Sequence, residues 1–214
     1  MGLRRQVLFI GDDFTQGTGV NGATVQGGWR GLLLNLRFTN GMTWRVGGSN
    51  TTGMISGENR FTGGSGLLLS QIAPSVTRDG AQWQYNLVVA QAGYTDYLNR
   101  FNTGTPTLAT TQASITTILD TIRAQVPTAP VFWVNQIPNT TVAFNTQIVN
   151  DNAAIQTQLA GRADAAYLYY VDAYTAYNAN PAYSTQWGQA GSMSPFGFTV
   201  IANTISAAIT AAGY

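Results

Sequence analysis

Short apolar runs alternate along the chain with longer stretches in which apolar residues recur at helical spacing. The runs are residues 7–10 (VLFI), 87–90 (LVVA), 131–134 (VFWV) and 167–171 (YLYYV), with a weaker one at 42–46 (MTWRV). Each is nearly continuous in apolar, β-branched or aromatic residues, as expected of parallel strands covered on both faces. Between them Ile115, Ile118, Leu119, Ile122 and Val126 follow the i, i+3, i+4, i+7 rule and stop at Pro127. Ile148, Ile155 and Leu159 keep a thinner stripe, and Val200, Ile201, Ile205 and Ile209 form the last one. Five β-α units of this kind predict an α/β protein, a three-layer αβα sandwich around a five-stranded parallel sheet, flavodoxin-like in its layering. With 214 residues and no Pro/Ser-rich linker or charge run, a single domain over 1–214 is expected.

In such sheets ligands bind beyond the carboxyl ends of the strands. Those ends carry Gly11-Asp12-Asp13, Gly47-Gly48-Ser49-Asn50, Gly93-Tyr94-Thr95-Asp96, Asn135-Gln136 and Asp172. Small and polar residues therefore collect where a site would form, although turns of any α/β fold also use glycine.

Composition narrows the chemistry. Charged residues are 9% of the chain against a usual share of about a quarter, so the polar surface must be built from Thr, Asn, Gln, Ser and Gly. The net charge of +1 gives no basic field for nucleic acid. No apolar run approaches the roughly 18 to 20 residues of a membrane-spanning helix, and the arginines at 4 and 5 precede a strand rather than a signal sequence. A soluble chain with neither nucleic-acid nor membrane partner is expected. Cysteine, histidine and lysine are all absent, and all ten basic residues are arginine. Without histidine the chain lacks the usual general base and the commonest metal ligand, so neither a metal nor another cofactor is expected.

The order of motifs resembles the SGNH/GDSL hydrolases. Their first block, G-D-S-x-x-x-G after the first strand, finds Gly11, Asp12 and Gly17, with Asp13 at the serine. The second-block glycine falls near Asn50, in the loop GGSNTTG that allows several registers. The third block, G-x-N-D, becomes Gly93-Tyr94-Thr95-Asp96, with Thr95 at the asparagine. The last, D-x-x-H-P before a glycine and the terminal helix, aligns with GSMSPFG, giving Gly191 at the aspartate and Ser194 at the histidine while Pro195 and Gly197 remain. The resemblance implies an SGNH-type sandwich along the whole chain. It also implies that the Ser-His-Asp triad and part of the oxyanion hole are replaced.

Acyl transfer by a hydroxyl needs a base within hydrogen-bond reach, and no histidine exists in the chain to serve. Asp13 would set a negative charge against backbone donors that an esterase keeps for its oxyanion. The same donors would hold that carboxylate ionised, so Asp13 reads as a plug of the ancestral hole. The competing enzymatic reading is a carbohydrate-active enzyme in which Asp13 pairs with Asp96 or Glu58, since two carboxyl groups suffice for glycoside hydrolysis.

Two segments are candidates for binding. Residues 56–66, SGENRFTGGSG, form a glycine-rich excursion readable as a recognition arm or a surface loop. Residues 174–191 read as a loop carrying Tyr174, Tyr177, Tyr183 and Trp187, which, with Tyr94, are aromatics able to stack on a glycan, anchor a protein interface or cover the core. The expected function is that of a pseudoenzyme: a structural or binding subunit, present as a homo-oligomer or in a larger assembly. The low-charge, Thr/Asn/Gln/Ala-rich composition resembles that of bacteriophage virion proteins such as capsid decoration or tail proteins, and a virion location is expected on that likeness.

Overall fold

The computed structural model describes residues 7–11, 29, 31–33, 57–59, 64–66, 86–179 and 195–214. Four strands, β1 (Val7–Gly11), β4 (Leu87–Gln91), β5 (Val131–Val134) and β6 (Leu168–Val171), form one parallel sheet in the order β1-β4-β5-β6. The pairing is regular, with Val7 beside Leu87, Val88 beside Val131 and Val131 beside Leu168. The weak strand expected at residues 42–46 lies outside the described residues. The excursion at 56–66, readable in the sequence as a recognition arm or a surface loop, contains a small antiparallel hairpin, β2 (Gly57–Asn59) with β3 (Gly64–Gly66).

Alternation along each strand sends side chains to opposite faces, and both faces are dry. Val7, Phe9, Leu87, Val89, Phe132 and Val134 join one core cluster. Leu8, Ile10, Val88, Ala90, Val131 and Trp133 join the other. The first face is covered by the helix Pro195–Ala211, through Phe198, Ile201, Ile205 and Ile209, together with Trp29, Leu33 and Tyr177. The second is covered by Ile115, Ile118, Leu119 and Ile122 of the helix Leu108–Gln125 and by Ile155 and Leu159 of the helix Val142–Ala160. Each such side chain contributes roughly 1.5 to 3 kcal/mol by leaving water. The result is the three-layer αβα sandwich that the apolar pattern predicts.

In chain order the α-helices described in full are α1 (Tyr94–Thr103), α2 (Leu108–Gln125), α3 (Val142–Ala160), α4 (Ala173–Asn178) and α5 (Pro195–Ala211). Thr107 opens α2, its hydroxyl accepting from the Thr110 N–H at 3.2 Å. Asp172 opens α4 in the same way toward the Thr175 N–H at 3.0 Å. At the amino end of β6, Arg123 of α2 donates to Asp164 at 2.6 Å and to the carbonyls of Ala129 and Tyr167. Arg162, just past α3, bridges Asp164 and Asp120. This network fastens two helices to the edge of the sheet on the side away from the strand ends that carry the candidate site.

Candidate functional site

The carboxyl ends of the strands are joined by neutral amides. The Gln91 side chain, at the end of β4, accepts from the Trp29 indole N–H at 2.8 Å and donates to the Asn135 carbonyl at 3.3 Å. Asn135, just past β5, donates through Nδ2 to the Tyr170 hydroxyl at 3.0 Å and to the Asp172 carboxylate at 2.9 Å. Its Oδ1 accepts from the Tyr174 N–H at 2.9 Å. Gln136 donates through Nε2 to the Ala92 carbonyl at 2.7 Å, and its backbone N–H and C=O are both taken by the Asn152 side chain of α3. These amides are buried, so their hydrogen bonds fix the spacing of three strand ends in a water-poor setting.

Gly93 follows β4 with φ 104°, a left-handed turn that a side chain would strain, and it starts α1. The turn puts Tyr94, Thr95 and Asp96 in the first turn of the helix. Asp96 is only 1% exposed, too enclosed for a sugar oxygen to reach. Tyr94 is half-buried with its ring edge-on to Phe144 at 5.9 Å, and its hydroxyl accepts from Asn139 at 2.5 Å. Asn139 is itself held by the Asn145 side chain, which accepts from its N–H at 2.6 Å and donates to its carbonyl at 2.7 Å. Tyr174 is half-buried against the same cluster, formed by Tyr97, Phe144 and Ile148.

Tyr174 and Tyr177 belong to helix α4 rather than to a loop, because Asp172 caps the turn and Ala173 and Tyr177 fill the core. The Tyr177 ring is fully buried, so of the readings open for these aromatics it takes the one that covers the core and is not available for binding. Glu58 lies in β2. Asp13, Asn50, Tyr183, Trp187, Gly191 and Ser194 lie outside the described residues. The structure therefore brings Tyr94, Thr95, Asp96 and Tyr174 to one end of the sheet, and sets Tyr177 in the core and Glu58 in the hairpin. Gln91, Asn139 and Asn152 were not singled out in the sequence; the signal for Gln91 was a polar residue closing an otherwise apolar strand.

Two ionisable groups of the site, Asp172 and Tyr170, are displaced away from neutrality in opposite directions. Burial raises the Asp172 carboxyl, but the hydrogen bonds from Thr175 and Asn135 outweigh it and hold the group below the ordinary carboxylate range. Burial is also the main reason the Tyr170 phenol is pushed up to about 12. Asp172 is thus a fixed anion with its oxygen engaged, and Tyr170 a neutral hydroxyl. No cluster of three or more metal-ligating side chains occurs among the described residues.

A parallel sheet covered by helices on both faces, with polar residues gathered at its carboxyl strand ends, places the protein in the class of αβα sandwiches. Within it, the chain belongs to the GDSL-like lipase/acylhydrolase family, whose sequence profile matches residues 9–193. No curated protein matches the sequence. Among solved structures, an active-site mutant of a family two carbohydrate esterase from Clostridium thermocellum superposes with a TM-score of 0.72 at 16% identity, over 99% of this chain and 64% of that one. This chain thus spans less than two thirds of that esterase. A carbohydrate esterase family 2 enzyme with a carbohydrate-binding domain from Corynascus thermopiles (Myceliophthora fergusii) gives a TM-score of 0.73 at 18% identity, covering 100% of this chain and 68% of that one. The lipase/acylhydrolase from Enterococcus faecalis gives 0.70 at 18% identity, over 97% and 96% of the two chains. At these identities the likeness is one of fold.

Proposed function

We propose that this chain is a non-catalytic member of its family, a hydrolase scaffold reused as a structural or binding subunit of a larger assembly, with a bacteriophage virion as its setting. The observation that carries the reading is the absence of histidine from all 214 residues. The family's hydrolysis depends on an imidazole to take the serine proton, and the described strand ends offer instead an engaged carboxylate and a high-pKa phenol. The subunit role is supported by how the charges are used. From residue 86 onward the chain has three arginines, Arg100, Arg123 and Arg162, and each is ion-paired within the fold. What the described residues there turn outward is mostly amide, hydroxyl and methyl groups, which enter interfaces without desolvating ions.

The test is hydrolysis of a short activated ester by the pure protein. Turnover should not exceed the buffer rate, and Asp13→Ser alone should add nothing because no base follows. Turnover that Asp13→Ala abolishes would overturn the proposal. Some hydrolysis by the triple variant Asp13→Ser, Gly191→Asp, Ser194→His is expected if the backbone geometry persists. Cellohexaose, the ligand in one of the Clostridium thermocellum carbohydrate esterase structures, serves as a parallel substrate. New reducing ends lost in Asp13→Asn would favour the carboxylate-pair glycosidase, against which the burial of Asp96 weighs. Binding without product would make the subunit a glycan-binding one.

A further inference from the structure

β6 ends the sheet. Among the described residues nothing pairs with its outer side, and Leu168, Tyr169 and Tyr170 are half-buried where every residue of β4 and β5 is buried. The direction of its backbone groups follows from one hydrogen bond. The Val171 carbonyl accepts from the Asn135 N–H at 3.1 Å, so Val171 and, two residues earlier, Tyr169 face β5. In a parallel ladder the alternate residues point the other way. The Tyr170 N–H and C=O and the Leu168 C=O therefore face outward, while the Leu168 N–H is used by the preceding turn, donating to Ala165.

Open edges are normally blunted by charge, proline or a bulge. Here the strand reads LYYV, and its pairing runs from Val131 beside Leu168 to Val134 beside Val171 without a bulge. The charges nearest its ends are engaged: Arg123, Arg162 and Asp164 with one another, and Asp172 with Asn135 and Thr175. Helix α3 flanks the edge. It turns Gln147, Asp151 and Gln158 toward α1 and α2 and buries Ile148, Ile155 and Leu159 against the core. Val142, Val149 and Gln156, seven residues apart, form the stripe on the opposite flank, beside β6, and all three are exposed.

We infer that β6 pairs antiparallel with β6 of a second copy of this chain, joining two sheets across a twofold axis beside Tyr170. Antiparallel self-pairing opposes Tyr170 to Tyr170, which exchange both backbone hydrogen bonds, and sets each Leu168 C=O against the Asp172 N–H of the other copy. A second copy is the occupant because the strand is complementary to itself in this register, and because the uncharged flank of α3 meets its own image without repulsion. The inference rests on the subunit reading above and names the surface that reading needs.

Sedimentation equilibrium of the full chain over a wide concentration range tests it. The expected result is a reversible dimer whose dissociation constant rises at least tenfold in Val149→Lys and in Gln156→Lys, exposed changes that leave the fold alone, and in Tyr170→Pro, which removes the outward N–H. The Tyr170 amide should exchange more slowly with solvent as concentration rises. A dimer indifferent to all three substitutions overturns the inference, as does a strict monomer. A monomer in solution that is nevertheless present in a purified particle overturns the β6 contact and leaves the subunit reading standing; esterase turnover would do the reverse.

Discussion

Asp151 and Asp164 have carboxyl groups displaced in opposite directions, and the difference is set by what each is buried against. Asp151 is 1% exposed between α1 and α3; burial raises its pKa, and the hydrogen bonds and charge of Arg100, with a hydrogen bond from Gln147, bring it only part of the way back. Asp164 is also raised by burial, but Arg162 and Arg123 outweigh that and lower it, as Thr175 and Asn135 do for Asp172. A lowered folded-state pKa gives stability that is present above the unfolded value of about 3.9 and lost as pH falls through the folded one. A raised pKa does the opposite: its contribution is full below the unfolded value and fades as pH rises through the folded one. Asp151 thus partly offsets the acid sensitivity of Asp164 and Asp172. Asp151→Asn keeps an acceptor for Arg100 and removes the titration, so the variant should lose more stability than the wild type between about pH 5 and pH 3. Urea unfolding at several pH values in that window measures the two slopes, and an equal or shallower slope for Asn would contradict the assignment.

At the scale of elements, α2 separates the two ways threonine acts on a helix. Thr107 caps its start, whereas Thr117 lies on the exposed side and returns its hydroxyl to the Ala113 carbonyl at 3.1 Å. Thr107→Ala should cost about 1 kcal/mol by leaving the Thr110 N–H without its side-chain acceptor. Thr117→Ala should gain roughly 0.5 kcal/mol, because alanine has the higher helix propensity and no competing hydroxyl. Thermal unfolding of the two variants should move the midpoint in opposite directions. The elements most legible in the sequence were those with an apolar stripe or run: α2, which also stops before Pro127, the thinner-striped α3, α5, and the strands β1, β4, β5 and β6. Helix α1 was equally regular, with Tyr94, Tyr97, Leu98 and Phe101 at helical spacing, but the glycine turn before it drew attention to chemistry rather than to periodicity. Helix α4 is six residues long, too short for a period to declare itself, so Tyr174 and Tyr177 read as part of a loop and the cap at Asp172 emerged only in the structure.

For the molecule as a whole, the position of the site was legible because it follows from the direction of parallel strands, while its internal wiring was not. Gln91 reaches Trp29 across 62 residues and Asn152 reaches Gln136 across 16, and such contacts exist only after strand pairing has set which ends lie together. Charge, by contrast, is a property of the sum. The chain has no histidine, lysine or cysteine, so no side chain has its ordinary titration in the neutral range: carboxyls lie below it and phenols above. The arginines from residue 86 onward are held in ion pairs within the fold rather than spread over the surface. The unfolding free energy should therefore change by less than about 0.5 kcal/mol between about pH 6.5 and pH 8. Self-association should respond little to salt between about 0.05 and 0.5 M, since a contact made by backbone groups and methyls has few exposed charges to screen. Sedimentation and urea unfolding across that grid measure both. A dimer that dissociates steeply with salt would show that charged side chains hold it, and would move the interface from β6 to another part of the chain.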